Sequence, residues 1–314
     1  MKAQRLVGGV HHAALKVSNL DEAFDRWTRI LALHGEKLGG GQAVLRCTYE
    51  DYALLLRQTS DKPFLDYVCY ELAPGVKLED ARKTVSQRGQ DFSEFAVPVR
   101  GAALKLRDPD GNDVVLIERE RPADARPSEV KFSDRIPGLH PRKLGHVNFL
   151  TSNVKRLVHW YTEVLEFQVT DWIGDEGVWL HVNADHHVLA LLNKGYNHIH
   201  HLAFELVDWG ELRVFLDHLA KNRRHLVWGP GRHGMARNLF SYFRMVEEEL
   251  FVELFCDLEQ LQEGHEVRYF PDDPHSSNTW GILPPRSYFR FDKVAIEAEI
   301  AQSYAYGEPI TAVP

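Results

Sequence analysis

Apolar positions recur at helical spacing in two stretches that the chain introduces in the same way. Leu20, Ala23, Phe24, Trp27 and Leu31 fall on one helical face, and so do Val154, Leu157, Val158, Tyr161 and Leu165. Each run follows a Ser-Asn pair, Ser18-Asn19 or Ser152-Asn153, whose side-chain oxygens can accept the orphan amides of a first helical turn. Each pair in turn closes a short strand-like segment opened by a histidine. From His12 to Trp27 and from His146 to Tyr161, the histidine, the Ser-Asn and the aromatic residue keep register without a gap.

A second pair of segments repeats in the same sense. Tyr67-Val-Cys-Tyr-Glu-Leu72 and His201-Leu-Ala-Phe-Glu-Leu206 each read as a strand leading into a further helix, and Val114 to Ile117 and Phe251 to Phe255 close the two halves as apolar strands. The chain is thus four copies of one strand-helix-strands module, an α+β arrangement in two domains. Residues 1–120 hold the first pair of modules and 143–258 the second. The stretch 121–142 has a linker's composition, with Pro122, Pro127, Pro137 and Pro141 among charges. Residues 259–314, with Pro271, Pro274, Pro284 and Pro285, match no part of the repeat and are expected to pack on the C-terminal domain as an arm.

Composition narrows the function. At 314 residues the chain is long enough for two domains with a core each, and its 44% apolar and 26% charged residues are those of a globular protein. No stretch approaches the roughly 20 apolar residues that span a bilayer, and the first twelve residues lack a signal-peptide core, so the expected location is the cytoplasm, away from membranes. The net charge of −8 is spread along the chain, which argues against a nucleic-acid partner. Cys47, Cys69 and Cys256 have no CxxC spacing and sit among apolar residues, as buried thiols do. Many of the 17 histidines fall between 140 and 235, and these point to metal or acid-base chemistry.

Open non-haem iron sites use two histidines and one carboxylate on one face, leaving the other positions for substrate and dioxygen. The repeat aligns His146 with His201, one at the start of each C-terminal module. His200, one residue off, is expected on the opposite side of its strand. On the closing strand, Phe251, Glu253 and Phe255 share one face, and a buried Glu253 would need a cation or strong hydrogen-bond partners to remain charged. Alternatively Glu253 reaches water at a strand end. In the N-terminal half His12 keeps the first position, but Tyr67 and Val115 replace the other two, so that half is expected to bind no metal.

The modular repeat resembles the vicinal oxygen chelate superfamily, in which paired βαβββ modules form an open, cup-like barrel around a metal; the likeness covers residues 6 to about 258. A live C-terminal site beside a dead N-terminal one resembles the type I extradiol dioxygenases, the catechol 2,3-dioxygenase and dihydroxybiphenyl dioxygenase group. Gly229-Pro-Gly-Arg-His-Gly234 with Phe240-Ser-Tyr-Phe243 is similar to that group's signature region, and Asp185-His-His-Val-Leu-Ala190 to its strand bearing a distal acid-base histidine. Arg244 to Glu249 stands where the group has an Asp-Pro-x-Gly turn and is one residue longer. Counting back from Glu253 selects Phe243 as the substrate-touching aromatic, whereas counting forward from His233 selects Tyr242, whose hydroxyl suits the chemistry.

The resemblance implies ring opening of a substituted catechol by dioxygen, with Fe(II), or Mn(II), on His146, His201 and Glu253. It implies that His233 and Tyr242 touch the bound diol, that His187 is the acid-base group, and that the protein is a homo-oligomer. His187, Leu189 and Leu191 are expected to share one strand face, His186, His198 and His200 to be structural or rim residues, and Trp172, Trp179, Phe240 and Phe243 to line an aromatic pocket. Two rivals are a glyoxalase-type isomerase, which typically uses more carboxylate ligands, and a metal-free sequestering protein.

Overall fold

In the computed structural model, which describes residues 5–47, 52–120, 139 and 141–305, each repeat folds as a strand, a helix and three more strands. The first comprises β1 (Val7–Val17), α1 (Leu20–Leu31), β2 (His34–Gly39), β3 (Gln42–Arg46) and β4 (Leu54–Gln58). The second comprises β5 (Phe64–Leu72), α2 (Leu78–Gln87), β6 (Ser93–Val97), β7 (Gly101–Arg107) and β8 (Asp113–Ile117). The third comprises β9 (Lys143–Thr151), α3 (Val154–Leu165), β10 (Gln168–Ile173), β11 (Gly177–His181) and β12 (Leu189–Asn193). The fourth comprises β13 (His198–Glu205), α4 (Trp209–Lys221), β14 (Leu226–Arg232), β15 (Leu239–Met245) and β16 (Leu250–Cys256). The expected α+β class and module order are what the chain adopts.

Asn19 caps α1 by accepting from the amides of Asp21 (3.0 Å) and Glu22 (3.2 Å), and Asn153 caps α3 by accepting from Arg156 (3.0 Å). These caps set where each helix leaves the strand before it, so the two copies diverge from their strands alike. The N-terminal sheet runs β2-β3-β4-β1-β5-β8-β7-β6, and the C-terminal sheet repeats that order as β10-β11-β12-β9-β13-β16-β15-β14. Strands β9 and β13 are antiparallel at its centre, with β12 parallel to β9 and β16 parallel to β13. Each sheet forms a half-barrel cup.

Alternation along the central strands decides what faces the cup. On β9, Val147 and Phe149 join the helix-side core, which leaves His146 and Asn148 to line the interior. On β1, Ala13 and Leu15 join the same core, while Ala14 faces inward. The helix-side faces of the two halves merge into one hydrophobic cluster rather than the separate cores expected from length. The reason is direct packing between halves: Tyr70 meets Phe167 edge-on at 5.3 Å, and Arg88 donates to the Val164 carbonyl at 2.8 Å.

The interiors differ in filling. Tyr52, Tyr67, Cys69, Val97, Val115 and Ile117, with four further buried apolar residues, form an apolar plug inside the N-terminal cup. The C-terminal cup instead keeps a cavity of about 110 Å³. The proposed linker 121–142 lies outside the described residues except for Leu139, Pro141 and Arg142. No helix among the described residues is long and apolar enough to cross a membrane.

After β16 the chain crosses back over the C-terminal sheet. β17 (Arg268–Phe270) pairs in parallel with β10, and a turn at Arg286–Phe289 sits over the cup mouth, where Tyr288 and Phe289 line the cavity. The docking is close: a Cβ at Gly234 would lie 2.8 Å from the Ser276 carbonyl oxygen and 2.9 Å from that of His275. Gly234→Ala should therefore cost about 1–3 kcal/mol. The check is the urea midpoint at unchanged slope; a midpoint equal to that of the parent would mean the tail does not seat on this turn.

Candidate active site and metal centre

Three strands bring the ligand set together. His146 of β9 stands across from Ala203, two residues along β13 from His201, and Ala203 in turn pairs with Glu253 of β16. His146 Nε2 lies 3.2 Å from His201 Nε2 and 3.0 Å from Glu253 Oε2, and His201 Nε2 lies 3.2 Å from the same oxygen. All three side chains are buried and open onto the cavity. Three donors on one face with space opposite is the arrangement that leaves coordination positions for ligands.

The electrostatics fit a cation. Burial would push the Glu253 carboxyl up, but His146 and then His201 more than offset it and hold it well below the usual carboxylate range. Burial lowers both imidazoles, only partly opposed by Glu253. A metal would take the carboxylate ionised and both imidazoles neutral at the nitrogen that binds it. The other described partners of Glu253 include Asn238, donating Nδ2–H to Oε1 at 3.0 Å, and His233 at 3.9 Å, neither a permanent cation. A divalent ion would supply the missing charge. His146, His201 and Glu253 are thus a metal site.

Three further polar groups converge on the same cavity. The His187 ring packs on His146 with centroids 4.1 Å apart. His233 Nε2 lies 3.0 Å from the Tyr242 hydroxyl, and its Nδ1 lies 2.6 Å from the Ser277 carbonyl oxygen. That carbonyl can only accept, so His233 carries its proton on Nδ1 and, when neutral, takes the Tyr242 O–H on Nε2. Tyr242 pairs with Glu253 across β15 and β16, which aims its side chain into the cup, whereas Phe243 turns into the helix-side core. Of the two residues left open by the sequence, Tyr242 is the one that faces the cup.

The sequence profile of the Glyoxalase/Bleomycin resistance protein/Dioxygenase superfamily matches residues 143–244, the segment carrying His146, His201, His233 and Tyr242. Metapyrocatechase 2 of Cupriavidus necator is 28% identical over 280 residues, covering 84% of this chain and 85% of that one. The manganese-dependent 2,3-dihydroxybiphenyl 1,2-dioxygenase of Geobacillus genomosp. 3 is 23% identical over 78% of this chain and 83% of its own. Over most of its length the chain is thus similar to extradiol dioxygenases, at low identity. Its fold is shared with the Mn(II)-bound glyoxalase from Novosphingobium aromaticivorans, at a TM-score of 0.78 and 23% identity over 90% of this chain and 94% of that one.

Several positions of the site depart from strict alternation. His200 does not turn to the far side of β13. A register shift between Ile199 and His201 makes His200 the extra residue of a bulge, and its ring packs on Phe251, which shares the face of Glu253. His187 does not share a face with Leu189 and Leu191, which lie in the helix-side core. Strand β12 begins only at Leu189, and His187 lines the cavity with Ala190 and Leu192. Of the expected pocket aromatics, Trp179 lines the cavity. Phe240 instead backs the His233 ring at 3.9 Å, Phe243 is in the core, and Trp172 packs against that core.

Sequence reasoning missed Asn238, Trp228, Tyr288 and the Ser277 carbonyl. Trp228 stacks on Tyr242 with rings 11° from parallel, and Tyr288 meets Tyr242 edge-on at 5.0 Å. No spacing rule singles out the two tail residues, because the tail lies outside the repeat. An aromatic in β14 one strand from Tyr242 was the available signal for Trp228.

The N-terminal cup shows what replaces the site. Cys69 stands opposite His12 as Ala203 stands opposite His146, so Tyr67 takes the place of His201 and Val115 that of Glu253. Tyr67 OH lies 3.3 Å from His12 Nε2. His11, His12 and Cys69 do bring three donor atoms close together, a grouping the sequence reading did not anticipate. The set has no carboxylate, and burial pushes the Cys69 thiol well up.

Burial, and then the charge of Arg100, bring the His12 imidazole down to about 3. In the unfolded chain it titrates near the ordinary 6.5, so acid protonates the unfolded state first. The stability this group contributes is complete above 6.5 and is lost as pH falls toward 3. At about pH 4.5 the loss is about 3 kcal/mol. His12→Leu should remove that part of the acid limb, as urea midpoints at pH 7 and 4.5 would show; the same pH dependence in both proteins would refute it.

Proposed function

We propose that this protein opens the ring of a substituted catechol beside its two hydroxyls, inserting both atoms of dioxygen at Fe(II), or Mn(II), on His146, His201 and Glu253. The observation that carries this reading is the convergence of that ligand set with His187, His233 and Tyr242 on one cavity, while the equivalent positions of the other cup are plugged. The extradiol relatives, one of them manganese-dependent, support it. The likeness to a glyoxalase concerns the fold and adds no second reading.

When bound, the metal supplies positive charge for a catecholate and a route for electrons from ring to dioxygen. The protein's part is placement and proton handling. Tyr242 and His233 form a coupled hydroxyl-imidazole pair that takes up the proton of one substrate hydroxyl: the Tyr242 oxygen accepts it as Tyr242 passes its own proton to His233 Nε2, and Tyr242 then donates to the deprotonated substrate oxygen. His187 accepts or returns a proton at an atom of the bound reactants, the role for which a neutral buried imidazole suits. Trp179, Ile173, Leu192 and Met235 give the ring apolar walls, and the tail residues Tyr288 and Phe289 keep bulk water from the mouth.

The test is anaerobic loading with Fe(II) or with Mn(II), followed by admission of oxygen to a panel of alkyl, aryl, carboxyl and hydroxyl catechols. A yellow ring-opened product from one class supports the reading. No product from any of them, with one metal bound per chain on analysis, would overturn it.

A further inference from the structure

His187 and His201 each follow another buried histidine, and in both pairs the Nδ1 atoms face each other, at 3.1 Å for His186 and His187 and 2.8 Å for His200 and His201. The outer member of each pair is committed on its far nitrogen. His200 Nε2 lies 2.8 Å from the Tyr288 carbonyl oxygen, which can only accept, so that nitrogen carries a proton. A neutral His200 then offers Nδ1 as an acceptor, His201 donates from its own Nδ1, and His201 Nε2 is left bare. That is the nitrogen 3.2 Å from Glu253 in the ligand cluster.

The same reasoning applies at His187, with a charged anchor. His186 Nε2 lies 2.7 Å from Asp171 Oδ2, and Asp171 is fully buried. Arg268 of β17 donates to both of its oxygens, Nε to Oδ1 at 2.8 Å and Nη2 to Oδ2 at 2.8 Å. Burial would raise this carboxyl, but His186 and Arg268 outweigh it and keep it below the ordinary range. An ionised carboxylate only accepts, so His186 holds its proton on Nε2 and presents a bare Nδ1. The backbone of His186 is pinned as well, its N–H donating to the Glu259 carbonyl at 3.0 Å and its carbonyl accepting from Thr170 Oγ1 at 2.7 Å.

We propose that Asp171 and His186, anchored by Arg268 of the tail, are positioning residues that hold His187 in its Nδ1–H tautomer and leave its bare Nε2 for the cavity. This rests on His187 being the proton-transfer group of the proposed reaction. A buried aspartate behind a histidine fixes both ring orientation and tautomer, and the outer histidine extends that control by one imidazole.

Asp171→Asn tests it, because an amide can turn its NH₂ to His186 Nε2, move the His186 proton to Nδ1, and force His187 to give up its own. In zinc-loaded protein with ¹⁵N-labelled histidine, the His187 signals are assigned by their loss in His187→Gln. The parent should show Nδ1 protonated and Nε2 bare, and Asp171→Asn the reverse. In Fe(II)-loaded protein Asp171→Asn should bind catechol anaerobically as the parent does, yet lose on the order of 10²- to 10⁴-fold in kcat.

Should Asp171→Asn fail to fold, His186→Asn and His186→Leu replace it. Asparagine puts a carbonyl oxygen near the place of Nδ1 and should keep the His187 tautomer and most of kcat; leucine should lose both. An unchanged tautomer in Asp171→Asn or His186→Leu overturns the inference, as does a parent with Nε2 protonated. A His187→Gln protein that turns over normally would remove the proton-transfer reading itself. A slow His187→Gln beside normal Asp171→Asn and His186→Leu would remove this inference alone.

Discussion

Replacing His201 with alanine should take the purified protein from about one iron or manganese per chain to almost none, while His12→Ala leaves the metal content unchanged. Loss of a mere supporting hydrogen bond behind a metal ligand typically costs 10- to 100-fold in affinity, and loss of one of only three protein ligands costs more. Elemental analysis beside circular dichroism separates lost metal from lost fold. Metal that survives in a folded His201→Ala protein would refute the ligand set, and metal lost on His12→Ala would place an ion among His11, His12 and Cys69 instead.

His187→Gln should keep its metal and bind catechol with near-parent affinity, but turn over more slowly by a factor on the order of 10² to 10⁴. His187 packs on His146 without contributing to the cluster of close donor atoms, so its loss leaves those donors in place. What disappears is the cavity-lining imidazole that packs on His146; His233, the other non-ligand imidazole there, is already engaged by the Ser277 carbonyl and the Tyr242 hydroxyl. Single-turnover measurements distinguish this from slow product release. If the variant loses its metal, His187 is itself a ligand; if its rate is that of the parent, the acid-base group lies elsewhere.

The fold was legible wherever the chain repeats itself. The caps Asn19 and Asn153, the equivalence of His146 and His201 in their modules, and Tyr67 at the place of His201 all follow from the repeat, and β-sheet register is what the two halves share. The closing strand was legible too, because strict alternation along Leu250 to Phe255 puts Glu253 inward. Alternation failed at two places for a physical reason. One inserted residue at His200 makes a bulge, and the irregular stretch before Leu189 resets the count, and neither has a composition of its own. Asn238 and the tail residues Arg268, Ser277 and Tyr288 were out of reach because their partners are distant in sequence and no repeat reports them.

β17 does more than carry Arg268 to Asp171. Strand β10 ends the C-terminal sheet, and its Gln168-Val-Thr-Asp-Trp-Ile173 stretch has no lysine or proline to discourage pairing. The other sheet edges guard themselves: β2 exposes Glu36 and Lys37, β6 exposes Glu94, and β14 has Pro230, which offers no amide hydrogen. β17 covers the unguarded edge by pairing Asp171 with Arg268, Trp172 with Tyr269 and Ile173 with Phe270. A chain ended at Leu258 would present an open backbone ladder beside an uncompensated buried carboxylate, so its first failing would be self-association into insoluble material.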